Sequence, residues 1–186
     1  VFEVDETCSS IVVDTEQVTI AYTESDGCVR KGTTSLSYID KGIALTVKDA
    51  KVPEDDEYTT VSQVYDFELL AKRLLVEKGT SMSLVIPLEM PLPARSVYRK
   101  YTLSTGWKDF YVDADNKVQS AAMNNGNCPE VNDNAKWSDG LIQGHQCLLL
   151  MIKDGGDNDD DGEVNRVVID PGAVATPKDG HNYPTV

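Results

Sequence analysis

Residues 147–170 constrain the fold more than any other part of the chain. Two apolar runs of strand length, Cys147 to Ile152 on one side and Val167, Val168 and Ile169 on the other, flank an acidic loop. Between Asp154 and Glu163 six carboxylates fall within ten residues, a density that mutual repulsion opposes unless cations sit among them. Asp157, Asp159 and Asp161, followed by Gly162, form the D-x-D-x-D-G pattern in which alternate side chains converge on a hard cation and the glycine permits a sharp turn. Asp154, Glu163 and Asn165 extend this ligand set, with backbone carbonyls to complete the roughly six to eight oxygen contacts calcium takes. The twelfth position counted from Asp157 is Val168 rather than Glu, and the flanks are strand-like. The expectation is therefore a calcium-binding β-hairpin, with calcium as the cofactor, rather than a helix-loop-helix sensor; the competing reading is a solvated acidic turn.

The rest of the chain repeats the strand-and-turn rhythm. Val18 to Tyr22, Leu36 to Tyr38 and Ile43 to Val47 read as short strands, with Ser25-Asp26-Gly27 and Asp40-Lys41-Gly42 as turns. The acidic stretch 53–57 reads as a solvated connection. Val61, Gln63, Tyr65, Phe67 and Leu69 fall on one face of an extended segment, and residues 82–88 form another strand, stopped by Pro91 and Pro93. Residues 69–76 fit either a strand or a short helix, with strand preferred. A hairpin is expected from 97–103 and 107–112 through Ser104-Thr105-Gly106, and the turn 113–117 offers Asp113 and Asp115 as a weak second cation site. Residues 124–144 lack periodicity, which makes them the natural recognition surface, with Trp107 and Trp137 as candidate ligand-stacking residues set against their more common role in packing.

Four cysteines, Cys8, Cys28, Cys128 and Cys147, carry neither C-x-x-C spacing nor histidines in zinc register. Of the three possible connectivities, Cys8–Cys28 and Cys128–Cys147 are favoured, since each closes a loop of about 20 residues and contributes on the order of 3 kcal/mol. Disulfides imply an oxidising compartment; reduced, buried thiols are the alternative. With 17 Lys+Arg against 31 Asp+Glu, the net charge of −14 repels nucleic acid and anionic lipid. No apolar run approaches the roughly 18 residues needed to span a bilayer, so direct membrane insertion is not expected. The chain starts at Val1 with no recognisable signal peptide, as a mature product or a piece of a longer protein would.

Enzymatic readings find little support. The histidines are His145 and His181; a Cys/His nucleophile needs a free thiolate, and a zinc site from Cys128, His145 and Cys147 lacks a fourth ligand. There is no glycine-rich phosphate loop and no G-x-S-x-G elbow. A pair of carboxylates in a cleft would be needed for a secreted hydrolase.

One ordered set of motifs resembles a known family. Tyr65-Asp66-Phe67, Val85-Ile86-Pro87-Leu88 with Pro91-Leu92-Pro93-Ala94, Val97-Tyr98-Arg99-Lys100-Tyr101, and Trp107-Lys108-Asp109-Phe110 with Val112-Asp113-Ala114 are followed by the acidic loop and Val168-Ile169-Asp170-Pro171-Gly172. Together they are similar to the choice-of-anchor U domain of bacterial surface proteins, over about the last two thirds of the chain. Cys128 and Cys147 match positions where many members carry cysteines. The resemblance implies a non-catalytic extracellular module, near the C-terminus of a large exported protein and ahead of an anchoring tail. Ala173 stands where members tend to have a second glycine, no hydrophobic tail is present, and residues 1–57 lie outside the match.

The fold expected is all-β, an antiparallel β-sandwich of Greek-key or jelly-roll type with long irregular loops. It spans 1–175 as one domain, with 176–186 a C-terminal linker. The function expected is a calcium-stabilised, disulfide-stapled structural or adhesive module of a bacterial cell-surface or secreted protein, joined to neighbouring domains of a larger parent. The alternative is a carbohydrate- or peptide-binding module that meets a surface glycan or protein through residues 124–144.

Overall fold

A computed structural model of the chain describes residues 22–23, 27–38, 42–71 and 77–179. Their strands are β1 (Tyr22–Thr23), β2 (Gly27–Lys31), β3 (Ala44–Leu45), β4 (Tyr58–Ala71), β5 (Ser81–Pro87), β6 (Val97–Thr102), β7 (Gly106–Asp109), β8 (Lys117–Ala121), β9 (Ser138–Asp139), β10 (Cys147–Lys153) and β11 (Val167–Pro177). They form two antiparallel sheets. One has the order β1-β5-β10-β8-β9; the other runs β2-β4-β11-β6-β7, with β3 also paired to β4. The sheets share one core. Tyr65, Phe67 and Leu69 from β4, Tyr98 from β6 and Val168 and Val174 from β11 pack with Met82, Leu84 and Ile86 from β5 and Leu148, Leu150 and Ile152 from β10. This is the all-β sandwich the alternation implied.

The outer faces of both sheets are also covered, which explains the run of apolar residues in β10. Leu148, Leu150 and Ile152 point into the shared core, while Cys147 and Leu149 pack outward with Val85, Ala121 and Trp137. A strand with one wet face alternates apolar with polar, and a strand buried on both faces does not. The second sheet is covered by residues around α1 (Val47–Ala50), where Leu45 and Ala50 meet Val64 and Ala173.

Several local expectations change. Residues 147–152 and 167–169 lie in strands of different sheets, so the acidic loop is a crossover between sheets and not a hairpin: β10 pairs with β5 and β8, β11 with β4 and β6. Expected as a strand, Leu36 instead lies in a 3₁₀ turn, Ser35–Ser37, and is 68% exposed. Asp66 causes this: its carboxylate accepts the Ser35 N–H (2.7 Å) and its carbonyl accepts the Gly32 N–H (2.9 Å) and the Ser35 hydroxyl (3.0 Å). The strand expected at 43–47 stops at Leu45 because Thr46 accepts the Asp49 N–H (3.1 Å) and starts α1.

On β4, Tyr65, Phe67 and Leu69 face the core as expected, but Val61 is 42% exposed. The register shifts between Ala173 and Ala175, and a bulge of this kind turns a strand's faces over. β11 runs to Pro177, and Lys178 donates its N–H to Glu57 O (3.0 Å), so the sheet includes the first two residues assigned to a linker. The strand expected at 18–22 is described only at Tyr22. Cys8, and with it the Cys8–Cys28 pairing, lies outside the described residues, as do residues 180–186.

Candidate functional site

The crossover between β10 and β11 carries the six acids. Asp154, at the end of β10, is 2% exposed and its carboxylate is filled by backbone donors. Oδ2 accepts the N–H of Gly79 (2.7 Å) and of Arg166 (3.0 Å), and Oδ1 accepts that of Asn165 (3.0 Å). One side chain thus joins the loop before β5, the end of β10 and the start of β11. Asn158, fully buried, pairs with Tyr111 as a backbone unit would: its Oδ1 accepts the Tyr111 N–H (2.8 Å) and its Nδ2 donates to Tyr111 O (2.7 Å).

Asp159 closes the loop on itself. Its Oδ2 accepts the Gly155 N–H (2.8 Å) and its Oδ1 the Ile169 N–H (3.0 Å). Burial pushes this carboxyl up to about 6; the two backbone donors oppose the rise, and the neighbouring Asp161 and Asp154 charges add to it. Asp160 is raised as well, first by desolvation, with Lys100 and then Lys108 pulling it back down. Asp161 accepts the Glu163 N–H (2.8 Å) and the Asn165 amide (3.0 Å), and Asn165 Oδ1 accepts the Val167 N–H (2.8 Å). The side chains of Asp157 and Glu163 are exposed.

The structure therefore brings Asp154, Asp159, Asp161 and Asn165 into one loop but turns their oxygens toward backbone N–H groups. Among the described residues no three His, Cys, Asp or Glu side chains come together in an arrangement able to hold a metal ion. A calcium cage needs several convergent oxygens, and this donor set does not fit one. The turn at 113–117 behaves alike: Asp113 Oδ1 accepts the N–H groups of Asp115 and Asn116 (both 2.8 Å) and the Asn116 amide (2.9 Å). The Asn116 side chain, followed by those backbone donors, holds the Asp113 carboxyl below its ordinary value.

The tryptophans are built into the frame. Trp137 is 7% exposed, donates its indole N–H to Glu130 O (2.9 Å) and packs with Val85, Cys147 and Leu149. Trp107 donates to Pro53 O (2.8 Å) and lies tilted against Tyr101, with ring centroids 5.4 Å apart. Cys128 and Cys147 form the disulfide expected from their spacing, with Cα atoms 5.6 Å apart, and pin residues 124–144 onto the outer face of β10. That bond takes both cysteines out of any zinc or thiolate chemistry. His145 Nδ1 lies 2.9 Å from Ser120 Oγ, but this hydroxyl donates to Gly140 O (2.9 Å) and accepts the Ile142 N–H (2.9 Å), a fastening of the loop rather than an activated nucleophile. An open groove of about 320 Å³ is lined by Val61, Gln63, Tyr65, Met90, Pro91 and Val174, among others.

Two buried ion pairs escaped the sequence reading. Arg99 reaches Asp55 through Nε (2.7 Å), also contacts Asp109 and lies over the Tyr58 ring, 4.3 Å from its centroid. The sequence places Asp55 in a solvated stretch, whereas the structure leaves it 4% exposed. On the opposite face of β6, Lys100 Nζ contacts Asp170 Oδ1, both side chains 0% exposed, and the Tyr98 hydroxyl donates to Asp170 Oδ2 (3.0 Å). Burial raises the Asp170 carboxyl, Lys100 and Tyr98 offset part of the rise, and burial likewise holds Tyr98 well above its ordinary value. Charged residues inside Val97–Thr102 give no pattern that separates an inward lysine from an outward one; the one usable signal is Gly172, opposite Lys100, where an added Cβ would lie 2.5 Å from the Tyr98 hydroxyl. Compared with protein-family models, curated proteins and solved structures, the chain matches none.

Proposed function

We propose that this chain is a non-catalytic, load-tolerant module of a bacterial cell-surface or secreted protein, of the kind its resemblance to the choice-of-anchor U domain implies. The observation that carries the reading is the fastening of its irregular segments. Cys128–Cys147 holds 124–144 on one sheet, Arg99–Asp55 holds the approach to β4 on the other, and Asp154 and Asp159 hold the crossover between them. Every buried side-chain nitrogen or oxygen among the described residues has a partner. Such wiring suits a spacer that keeps its shape while adjoining domains do the binding.

In this reading the acidic crossover is held by hydrogen bonds and not by an ion. No helix among the described residues is long and apolar enough to cross a membrane. The test is thermal unfolding and limited proteolysis under four conditions: oxidised or reduced, in calcium or in chelator. Reduction is expected to lower the melting temperature and open 124–144 to cleavage, while calcium leaves both unchanged. A marked calcium-dependent rise in melting temperature would restore the metal as the organising element. Protease sensitivity of 124–144 in the oxidised protein would remove the rigid-spacer reading.

A further inference from the structure

The pair Lys100 and Asp170 is more than the fold requires. A buried ion pair costs several kcal/mol of desolvation per ion, which its attraction seldom repays, and an apolar pair of the same volume often does as well. Here an amine and a carboxyl, both with no exposure to solvent, are held in contact on neighbouring strands of a sheet. Apolar side chains and two further carboxylates surround it: Phe67 is paired across from Asp170 and Tyr98 is edge-on to Phe110, with ring centroids 6.0 Å apart, while the charge of Asp160 acts on Lys100 and Asp170 and that of Asp66 on Tyr98. Tyr98, a third buried group, aims its hydroxyl at the second carboxyl oxygen. Gly172 lies two residues beyond Asp170 on β11 and directly across from Lys100 on β6, and its missing Cβ makes room for that hydroxyl.

We infer that Lys100 and Asp170 become joined by an amide bond between Lys100 Nζ and Asp170 Cγ, formed by the folded chain itself with the release of one water. The step balances without any co-reactant. A proton passes from the ammonium to the carboxylate oxygen it touches, giving a neutral amine and a carboxylic acid, the form that a water-excluding interior favours over two ions. The Nζ lone pair then forms a bond to Cγ, and the carbonyl π electrons move onto Oδ2. The Tyr98 hydroxyl is already donating to that atom, so it meets the negative charge where it develops. When the intermediate collapses, the Cγ–Oδ1 bond breaks and Oδ1 leaves as water, carrying its own proton and one from Nζ. One hydrogen remains on the amide nitrogen, and nothing is oxidised or reduced.

Two features drive this otherwise unfavourable condensation. Strand pairing holds the reacting atoms in contact, and well-oriented intramolecular reactions reach effective molarities on the order of 10⁵ M or more. The product replaces two buried ionisable groups by one neutral amide and releases its water from the interior. Lys100 and Asp170 lie 70 residues apart, so the bond would lock β6 to β11 across the middle of the second sheet.

The test is the mass of the intact, refolded and reduced protein, followed by a tryptic map. The expected result is a mass one water below that of the sequence, a branched peptide containing Lys100 and Asp170, and no cleavage after Lys100. The Asp-Gly steps at 26–27, 139–140, 154–155, 161–162 and 179–180 also lose water by cyclising, so a water loss that maps to a linear peptide overturns the inference. A full-length mass after complete folding overturns it too. Lys100→Arg should return the mass calculated for its own sequence. Asp170→Asn keeps the shape and releases ammonia in place of water, so its final mass should equal that of the wild-type product; a final mass equal to that of its uncondensed sequence counts against the bond.

Discussion

Replacing Asp154 tests whether the acidic crossover is wired from within or waits for a cation. Its buried carboxylate accepts three backbone N–H groups, from Gly79, Asn165 and Arg166. Asp154→Ala leaves all three donors without a partner in a site with no room for bulk water, and each such loss costs about 1–3 kcal/mol. The three are close enough to share one relaxation, so the total expected is about 3–5 kcal/mol rather than the full sum. Asp154→Asn is the sharper probe. Its amide oxygen can take the Oδ2 position and keep Gly79 and Arg166, which places the NH₂ against the Asn165 N–H and loses one bond, for about 1–2 kcal/mol. Urea unfolding of the wild type and both variants, each in calcium and in chelator, reads the result as midpoints at constant slope. The expected order is wild type, then Asn, then Ala, with the same spacing under both conditions. If Asp154→Asn matches the wild type in chelator and falls behind only in calcium, the carboxylate serves an ion and the hydrogen-bond account is wrong.

Other perturbations probe separate parts of the frame. The Asp159 carboxyl is raised to about 6, above its ordinary 3.8, so the folded chain binds its proton more tightly than the unfolded chain does. Its contribution is complete below the unfolded value and is lost as pH rises through about 6. Asp159→Asn should therefore flatten the decline in stability between pH 4 and 7, by up to about 2 kcal/mol after solvent screening; an unchanged pH profile by calorimetry would refute the assignment. Gly32→Ala would set a Cβ 2.1 Å from Asp66 Oδ1 and displace the turn at Ser35–Ser37, with an expected loss of about 1–3 kcal/mol in denaturation; a neutral outcome would show that the turn yields freely. Trp137→Ala should lower stability by about 3–5 kcal/mol, as for a large core residue, and a glycan array should show no signal that depends on it; saturable sugar binding abolished by the change would reinstate the recognition reading.

The fold class was legible because short apolar runs broken by turn residues leave few alternatives to paired strands. The Cys128–Cys147 bond was legible from its spacing, and the hairpin of β6 and β7 from its aromatic residues around Gly106. What stayed hidden depends on partners distant in sequence. Leu36 sits in a turn because Asp66, thirty residues on, supplies the acceptors. The strands around the acidic loop looked like a hairpin because adjacency in sequence carries no information on which sheet a strand joins. Asp154 and Asp159 looked like metal ligands because hard-cation ligands and backbone-capping side chains are the same residues. The difference lies in where the N–H groups are, and those come from Gly79 and Ile169. Lys100 and Asp170 were invisible because charge at an inward position reads as a solvent-facing strand until its partner is known.

The place of β11 in its sheet has a consequence for biogenesis. It is the last described strand, yet it lies between β4 and β6. Until residues 167–177 have been synthesised, those two strands each face an open edge, and the sheet exists only as separate halves that cannot zip shut. A nascent chain of this topology cannot complete its second sheet until residues 167–177 emerge, and then closes it by insertion of a central stave. A chain stopped before residue 167 would leave two unsatisfied strand edges side by side, and self-association would be the expected fate of such a fragment.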